Sequence, residues 1–521
     1  VTSAVVTLIT GAFASAATTV TPFTVKPARV SGAIPYSKKN FPFAADGFYR
    51  RFPLPKGYTV HEYFVSGRAN IYQFTDDGIG VVAPCPPSVT GYRMPSCSGL
   101  PYETRMLVYE PKNLATFSGN VWVDPLNPTD GNDYDVVWRR ASDSFEHTGN
   151  YFAERHDIFV EWTSKSVTVN YLKKWNPTRY KKLHWPHHPF GGAANFLSNA
   201  PYDGITFDVA AQIGATLKLN GPGSPIHGLS VQHVFETGFS QDGGFTFDQA
   251  NYFNRVERLP DGGPVYDGYV PQGNTGSFPI NFGLNKAGEL PPTAARNKIG
   301  DVDVPVLKLN TQSELQGSAL LGPITWRRPD SDTPVSRYRE WEVAGGSHDD
   351  VNTLADPTNY AVFGTPYYVY NCAHTFPPHN SPNLYPYAFV ANGAYQAMER
   401  WVGLGIAPPH VAPIEQTDLK EPTPASVRID RFGNALGGVR TPYLEVPIAT
   451  YHASDQPAAG FCALSGWDTP FSRQKLVHLY PTHQDYVKRF ASGAHQLASE
   501  GLWTARDAEA AIQGAKAANV P

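Results

Sequence analysis

One segment of this 521-residue chain constrains its fold more than any other: His233-Val234-Phe235-Glu236-Thr237-Gly238-Phe239-Ser240-Gln241-Asp242-Gly243-Gly244. A short apolar run meets a glycine-flanked serine, and Phe245-Thr246-Phe247 follow. That is the outline of a strand, a tight turn and a helix start with serine at the apex, the form of a nucleophile elbow. Such a turn lifts the hydroxyl out of the sheet edge, and small residues beside it let neighbouring backbone come close. The helix that follows aims its free N–H groups at the site, where negative charge is welcome. The usual pattern is Gly-x-Ser-x-Gly; here its last position is Asp242, and glycine comes one and two residues later. By itself such a serine is more often an ordinary turn or N-cap residue.

Two later segments supply what a serine nucleophile needs. Asp303 to Asn310 is a β-branched and leucine-rich run of strand length, followed at once by Thr311-Gln312-Ser313-Glu314. Tyr338 to Ala344 alternates as a second strand and runs into Gly345-Gly346-Ser347-His348. A carboxylate therefore follows one strand end and a histidine the next. The order Ser, acid, His is that of the α/β-hydrolases, and it differs from the chymotrypsin and subtilisin orders. A serine hydroxyl is a poor nucleophile near neutral pH and needs an adjacent base. That base needs a carboxylate to fix its tautomer and stabilise its charged form. Ser240, His348 and Glu314 fill these roles. Asp349 and Asp350 are poor candidates for the acid, because adjacent residues rarely face each other across a ring; they suit a helix cap.

Hydrophobic residues make up 41% of the chain and charged residues 17%, so a sizeable core is available. A formal net charge of −4 without a basic stripe argues against nucleic acid as a partner. Abundant proline (47) and glycine (46) fit long ordered loops on a β-rich scaffold. Ala4 to Phe13 is a short apolar run and Ala14-Ser15-Ala16 has the small-x-small form of a signal-peptidase site, so residues 1–16 read as the remnant of a signal peptide. A secreted or periplasmic protein is expected. No other apolar run is long enough for a membrane span. In that setting four cysteines suggest two disulfides. Cys85 and Cys97, flanking a proline-rich loop, are the first pair of three possible connectivities, which leaves Cys372 with Cys462. No Cys-x-x-Cys or Cys/His cluster points to metal, and His187-His188, set among prolines, read as loop packing. No cofactor is expected.

Strands are expected at 61–72, 104–110, 119–127 and 157–162, with helices at 134–148 and 206–217. This alternation implies a mostly parallel central sheet with helices on both faces. Residues 163–200, with Trp175-Asn176-Pro177 and His184-Trp185-Pro186, read as an irregular aromatic insertion, and about 375–445 as a second, proline-rich one around a helix at 391–404. Arg428 to Arg440 reads as a glycine-rich hairpin packed on the core near the cleft. Amphipathic helices such as Gln484 to Glu500 close the chain. Residues 17–521 thus read as one domain.

The whole pattern resembles the large bacterial "alpha/beta hydrolase domain" proteins of the serine-hydrolase superfamily. Their Gly-x-Ser-Gln-Ser-Gly elbow is matched by Gly238 to Gly243 except at Asp242. Their Val-Pro-Val strand with its acidic turn is matched through Glu314, with Gln312 where the family often has an acid. Their Arg-x-Trp-Glu-Val-Ala-Gly-x-x-His segment is matched by Arg339 to His348, and their Leu-Asn strand end by Leu126-Asn127. Their Asp-x-x-Gly-Asn-Ala-x-Gly-Gly-Val-Arg-x-Pro motif is matched by Asp430 to Pro442, and their closing Leu-Tyr…Asp-Tyr by Leu479-Tyr480 and Asp485-Tyr486. The resemblance runs from about residue 50 onward. It implies the alpha/beta-hydrolase fold with an integrated C-terminal extension and ester chemistry, but no particular substrate. In this fold the N–H of Gln241 is expected to serve the oxyanion, with a second donor near Leu126 and Asn127, unless Asn127 is a plain turn residue. The expected substrate is a small-molecule or polymeric ester. Acyl transfer or peptide cleavage on the same triad, and a non-enzymatic binding protein on a hydrolase scaffold, are the rival readings.

Overall fold

The computed structural model describes residues 18–45, 53–75, 78–81, 96–129, 131–141, 150–186, 203–274, 276–277, 280, 295–316, 326–349, 380–417, 426–454 and 460–521. Ten strands form the main sheet, in the order Ser331–Thr333, Ser336–Val343, Val306–Thr311, Gly268–Gln272, His233–Phe239, Asn120–Leu126, Ile158–Thr163, Leu100–Pro111, Tyr58–Ala69 and Arg29–Val30. From Ser336–Val343 to Ile158–Thr163 neighbouring strands are parallel. The strands at either edge are antiparallel.

Residue alternation explains why both faces are covered. Val121, Val123, Ile158, Val160, Val234 and Val306 enter one apolar cluster, with Phe207 and Val209 of helix Thr206–Leu219 and Phe245 and Phe247 of helix Gln241–Asp248. Their neighbours Trp122, Phe159, Phe235 and Leu307 enter the other, with Phe389 and Val390 of helix Tyr387–Leu404, Phe490 of helix His483–Glu500 and Ile512 of helix Ala505–Ala517. Successive strand residues point to opposite faces, so a doubly buried strand is apolar at nearly every position.

The expected fold class is therefore observed, with local differences. Gly268–Gln272 lies between the serine strand and the acid strand, where no strand is expected. Its Pro271 is the reason, since proline is rare in central strands. The strand expected at 61–72 stops at Ala69, and Tyr72–Thr75 starts a separate small sheet. The first insertion is not irregular at its start: Ser166–Trp175 and Pro177–Tyr180 are helical, with Pro177 in the first turn, where its missing N–H costs nothing. The Arg428–Arg440 segment reverses as a short hairpin, with an antiparallel bridge from Ile429 to Ala435 and the Asp430 and Leu436 N–H groups on Asn434 O and Arg428 O, but without extended strands. Residues 1–16, His187, His188 and Asp350 lie outside the described residues.

Cys97 and Cys462 each take part in a disulfide, and no free cysteine occurs among the described residues. Cys85 and Cys372 lie outside them. Among the described residues no helix is long and apolar enough to cross a membrane, and no group of His, Cys, Asp and Glu could hold a metal ion.

Candidate active site

Ser240 stands between the strand His233–Phe239 and the helix Gln241–Asp248. Its backbone lies at φ 66° and ψ −117°, a conformation that residues with a Cβ avoid unless their surroundings enforce it. Three hydrogen bonds enforce it. The Ser240 N–H donates to Gln272 O at 3.0 Å, the Gly244 N–H to Ser240 O at 3.0 Å, and Asn127 Nδ2 to Phe239 O at 2.9 Å. The glycines on either side are there for space. A Cβ on Gly238 would stand 2.5 Å from Asp242 O, and one on Gly243 would stand 1.9 Å from Gln272 O. The close approach of helix to strand thus falls at Gly243, which leaves position 242 open to a side chain.

His348 and Glu314 reach the same point from the next strands. His348 Nε2 lies 2.8 Å from Ser240 Oγ, and His348 Nδ1 lies 2.5 Å from Glu314 Oε1. Glu314 Oε2 accepts from the Thr311 N–H at 2.6 Å and the Thr311 hydroxyl at 2.8 Å. Burial would push the Glu314 carboxyl up, but His348 and the two Thr311 donors outweigh it and hold it below the ordinary value. The histidine backbone is placed as well. Its N–H donates to Ser313 Oγ at 2.9 Å, and that hydroxyl donates to Ala453 O at 2.5 Å. The Asp349 N–H donates to Leu464 O. A serine, an imidazole and a carboxylate in one hydrogen-bonded line can pass a proton from the first to the second while the third holds the resulting charge.

A family model described as an alpha/beta hydrolase domain matches residues 30–513. The chain belongs to that family. Among solved structures, this alpha/beta hydrolase domain is similar to a putative dienelactone hydrolase from Klebsiella pneumoniae, with 12% identity, 65% of this chain and 98% of that chain covered, and a TM-score of 0.30. It is also similar to acetyl xylan esterase 1 from Thermoanaerobacterium sp. (9% identity, 55% and 77% covered, TM-score 0.26). A third likeness is to a rice cell wall degrading esterase from Xanthomonas oryzae (13%, 42% and 43% covered, TM-score 0.21). None of these likenesses bears on what this chain acts upon. No curated protein matches it.

In this hydrolase domain the oxyanion side differs from expectation at one point. Gln241 opens its helix, so its N–H has no intrahelical acceptor and follows directly on Ser240. Leu126 is buried at its strand end, and its carbonyl accepts from Ser164 Oγ. The Asn127 N–H, however, donates to Tyr134 O at 3.0 Å. The Thr129 N–H is taken by Asn127 Oδ1 at 2.9 Å, and the Gly131 N–H by Pro128 O at 2.9 Å. Asn127 is thus neither a free backbone donor nor a plain turn residue: its side chain braces the elbow through Phe239.

Asp242 sits in the first turn of its helix and is buried. Burial pushes its carboxyl well up; Lys165 opposes this and Asp133 adds to it. Burial in turn pushes Lys165 down to about 8, against the pull of Asp203 and Asp242. Asp124 is pushed well up too, by burial first and then by Asp242, Asp135 and Glu236. The elbow helix therefore rests on a crowded acidic interior in which Lys165 is a neighbouring cation. Gln312, at a position where the resemblance leads one to expect an acid, uses its Oε1 to accept the Gly345 N–H at 2.8 Å. It ties the acid turn to the histidine loop. Ser313 and Thr311 show no signal in sequence beyond being small polar residues at a strand end, a place where turns commonly put them.

Proposed function

We propose that the protein is a serine hydrolase that cleaves carboxylic esters through an acyl-enzyme. The observation that carries this reading is the continuous line Glu314 Oε1, His348 Nδ1, His348 Nε2, Ser240 Oγ, with gaps of 2.5 and 2.8 Å. In the first half-reaction Ser240 Oγ attacks the ester carbonyl carbon as its proton passes to His348 Nε2. Glu314 holds the imidazolium through Nδ1, and the Gln241 N–H takes the developing oxyanion. Collapse of the tetrahedral intermediate breaks the carbon–oxygen bond to the leaving alcohol, which takes the proton from His348. In the second half, water gives a proton to His348 and attacks the acyl carbon; the proton then returns to Ser240 as the acid leaves.

The triad is tested with p-nitrophenyl esters of increasing chain length. Ser240→Ala and His348→Ala are expected to lower kcat by on the order of a thousandfold or more while the protein still melts cooperatively. Glu314→Gln is expected to lose less, since the histidine keeps its partner in neutral form. Wild-type turnover in Ser240→Ala would sink the assignment. Export goes with this reading, on the Ala4 to Ala16 pattern, as does pairing of Cys85 with Cys97 and Cys372 with Cys462.

A further inference from the structure

Arg140 ends the short helix Val136–Arg140 that follows the strand Asn120–Leu126, and it is 3% exposed. It belongs to none of the three segments that carry the triad, yet it touches two of them. Its Nη2 donates to the carbonyl of His348 at 2.6 Å. Its guanidinium carbon lies over the ring of Phe239, 3.6 Å from the centroid, and Phe239 is the residue before Ser240. The Phe239 ring in turn stands 4.8 Å from the His348 ring. Tyr387 closes the stack, 5.3 Å from the guanidinium and 5.7 Å from Phe239. Its hydroxyl donates at 3.0 Å to Gln272 Oε1, and the backbone carbonyl of the same Gln272 accepts the Ser240 N–H.

We propose that Arg140 is the positioning residue of this site, a clamp that sets the spacing between base and nucleophile by holding the His348 backbone and the Phe239 ring on one rigid guanidinium. The inference rests on the proposed serine-hydrolase reading. The physical need is plain. His348 stands on a loop beyond the turn at Ala344 and Gly345, and Ser240 follows a different strand. Proton transfer requires their atoms to be placed to within about 0.5 Å. An arginine donates in the plane of its fork and stacks on an aromatic ring through its face, so one group fixes both partners at a set distance. Lysine offers a charge without that plane and cannot do both. The same residue anchors the segment after Asn120–Leu126 to the site, so three parts of the chain meet on it.

The test uses the full chain with Arg140→Lys and Arg140→Met, alongside wild type and Ser240→Ala. Arg140→Lys keeps a buried cation and is expected to melt within a few degrees of wild type. Its kcat on p-nitrophenyl acetate is expected to fall about 30- to 100-fold, with KM within about twofold, the size of loss expected for a small misplacement of reacting groups. The rate of covalent labelling by a fluorophosphonate is expected to fall by the same factor. A residue that only fills the core would lower the melting temperature and leave kcat alone. If Arg140→Met fails to fold, the lysine variant decides by itself. Turnover within threefold of wild type in Arg140→Lys, with Ser240→Ala dead, overturns the clamp and leaves the hydrolase reading standing. Loss of the melting transition in Arg140→Lys also overturns it, because the residue would then serve the fold. Wild-type turnover in Ser240→Ala would defeat the hydrolase reading itself.

Discussion

Ser240 holds an unfavourable backbone conformation because its surroundings leave no other. The Gln272 carbonyl pulls its N–H one way, Asn127 fixes the carbonyl before it, and the helix starts immediately after. Tight packing against Gln272 is what Gly243 makes possible, and the neighbour there is backbone, which cannot swing aside. Gly243→Ala is therefore expected to destabilise the protein by about 3 kcal/mol or more, read as a lower urea midpoint at unchanged slope. An unchanged midpoint would mean that the helix can back away from the strand. The candidate triad residues could be named from sequence because each follows a strand-like run in the order Ser, acid, His. The residues that hold them could not. Ser313 and Arg140 act through contacts that join segments far apart in the chain, as does the side chain of Asn127, whose position at a strand end was legible but whose bond to Phe239 was not; Thr311 is a small polar residue three positions before its partner Glu314. Asp242 hides the glycine pattern because the close contact falls one residue later.

At the scale of elements, the three-stranded sheet of Ser381–Pro382, Trp467–Pro470 and Ala449–His452 backs the histidine loop. Asn383 Nδ2 donates to Gly345 O at 2.9 Å and to His452 O at 3.2 Å, and Ala453 O receives Ser313. Asp468 is buried in this sheet. Burial raises its carboxyl to about 8, against a partial pull from the Leu384 N–H. A folded value above the unfolded 3.8 favours the folded state while the group is protonated, so its contribution is complete below about pH 4 and is lost as pH rises through about 8. Glu314 has the opposite sign, its contribution being lost only as pH falls into the acid range. Asp468→Asn keeps an acceptor for Leu384 but never ionises. Its melting temperature is expected to vary less with pH between about pH 5 and pH 8 than that of wild type; parallel profiles would contradict this. Element type was readable where periodicity is strong, as in the serine strand and the helices Thr206–Leu219 and His483–Glu500. It failed at Gly268–Gln272, where Pro271 argues against a strand that parallel neighbours nevertheless hold on both sides.

Across the whole molecule, the C-terminal third is part of the hydrolase core. Val439 bridges to Val343 at the end of the histidine strand, and Asp349 bridges to Ser465. Trp122 of the central sheet donates to Glu399, and Arg506 pairs with Glu154. With Cys462 disulfide-bonded in this region, the proposed Cys372–Cys462 link would brace the base loop's support. Mass mapping of unreduced protein purified from its own host is expected to give Cys85–Cys97 and Cys372–Cys462 peptides; any other pairing would contradict this connectivity, and four alkylatable thiols would contradict both the pairing and the export. The proposed function depends on one hydroxyl, that of Ser240, being activated by His348. The most direct measurement is the site of covalent capture: wild type treated with a fluorophosphonate, digested and sequenced by mass spectrometry. The expected result is a single phosphonyl adduct on Ser240, absent from Ser240→Ala and strongly slowed in His348→Ala. An unlabelled wild type, or an adduct on another residue that persists in Ser240→Ala, would contradict it.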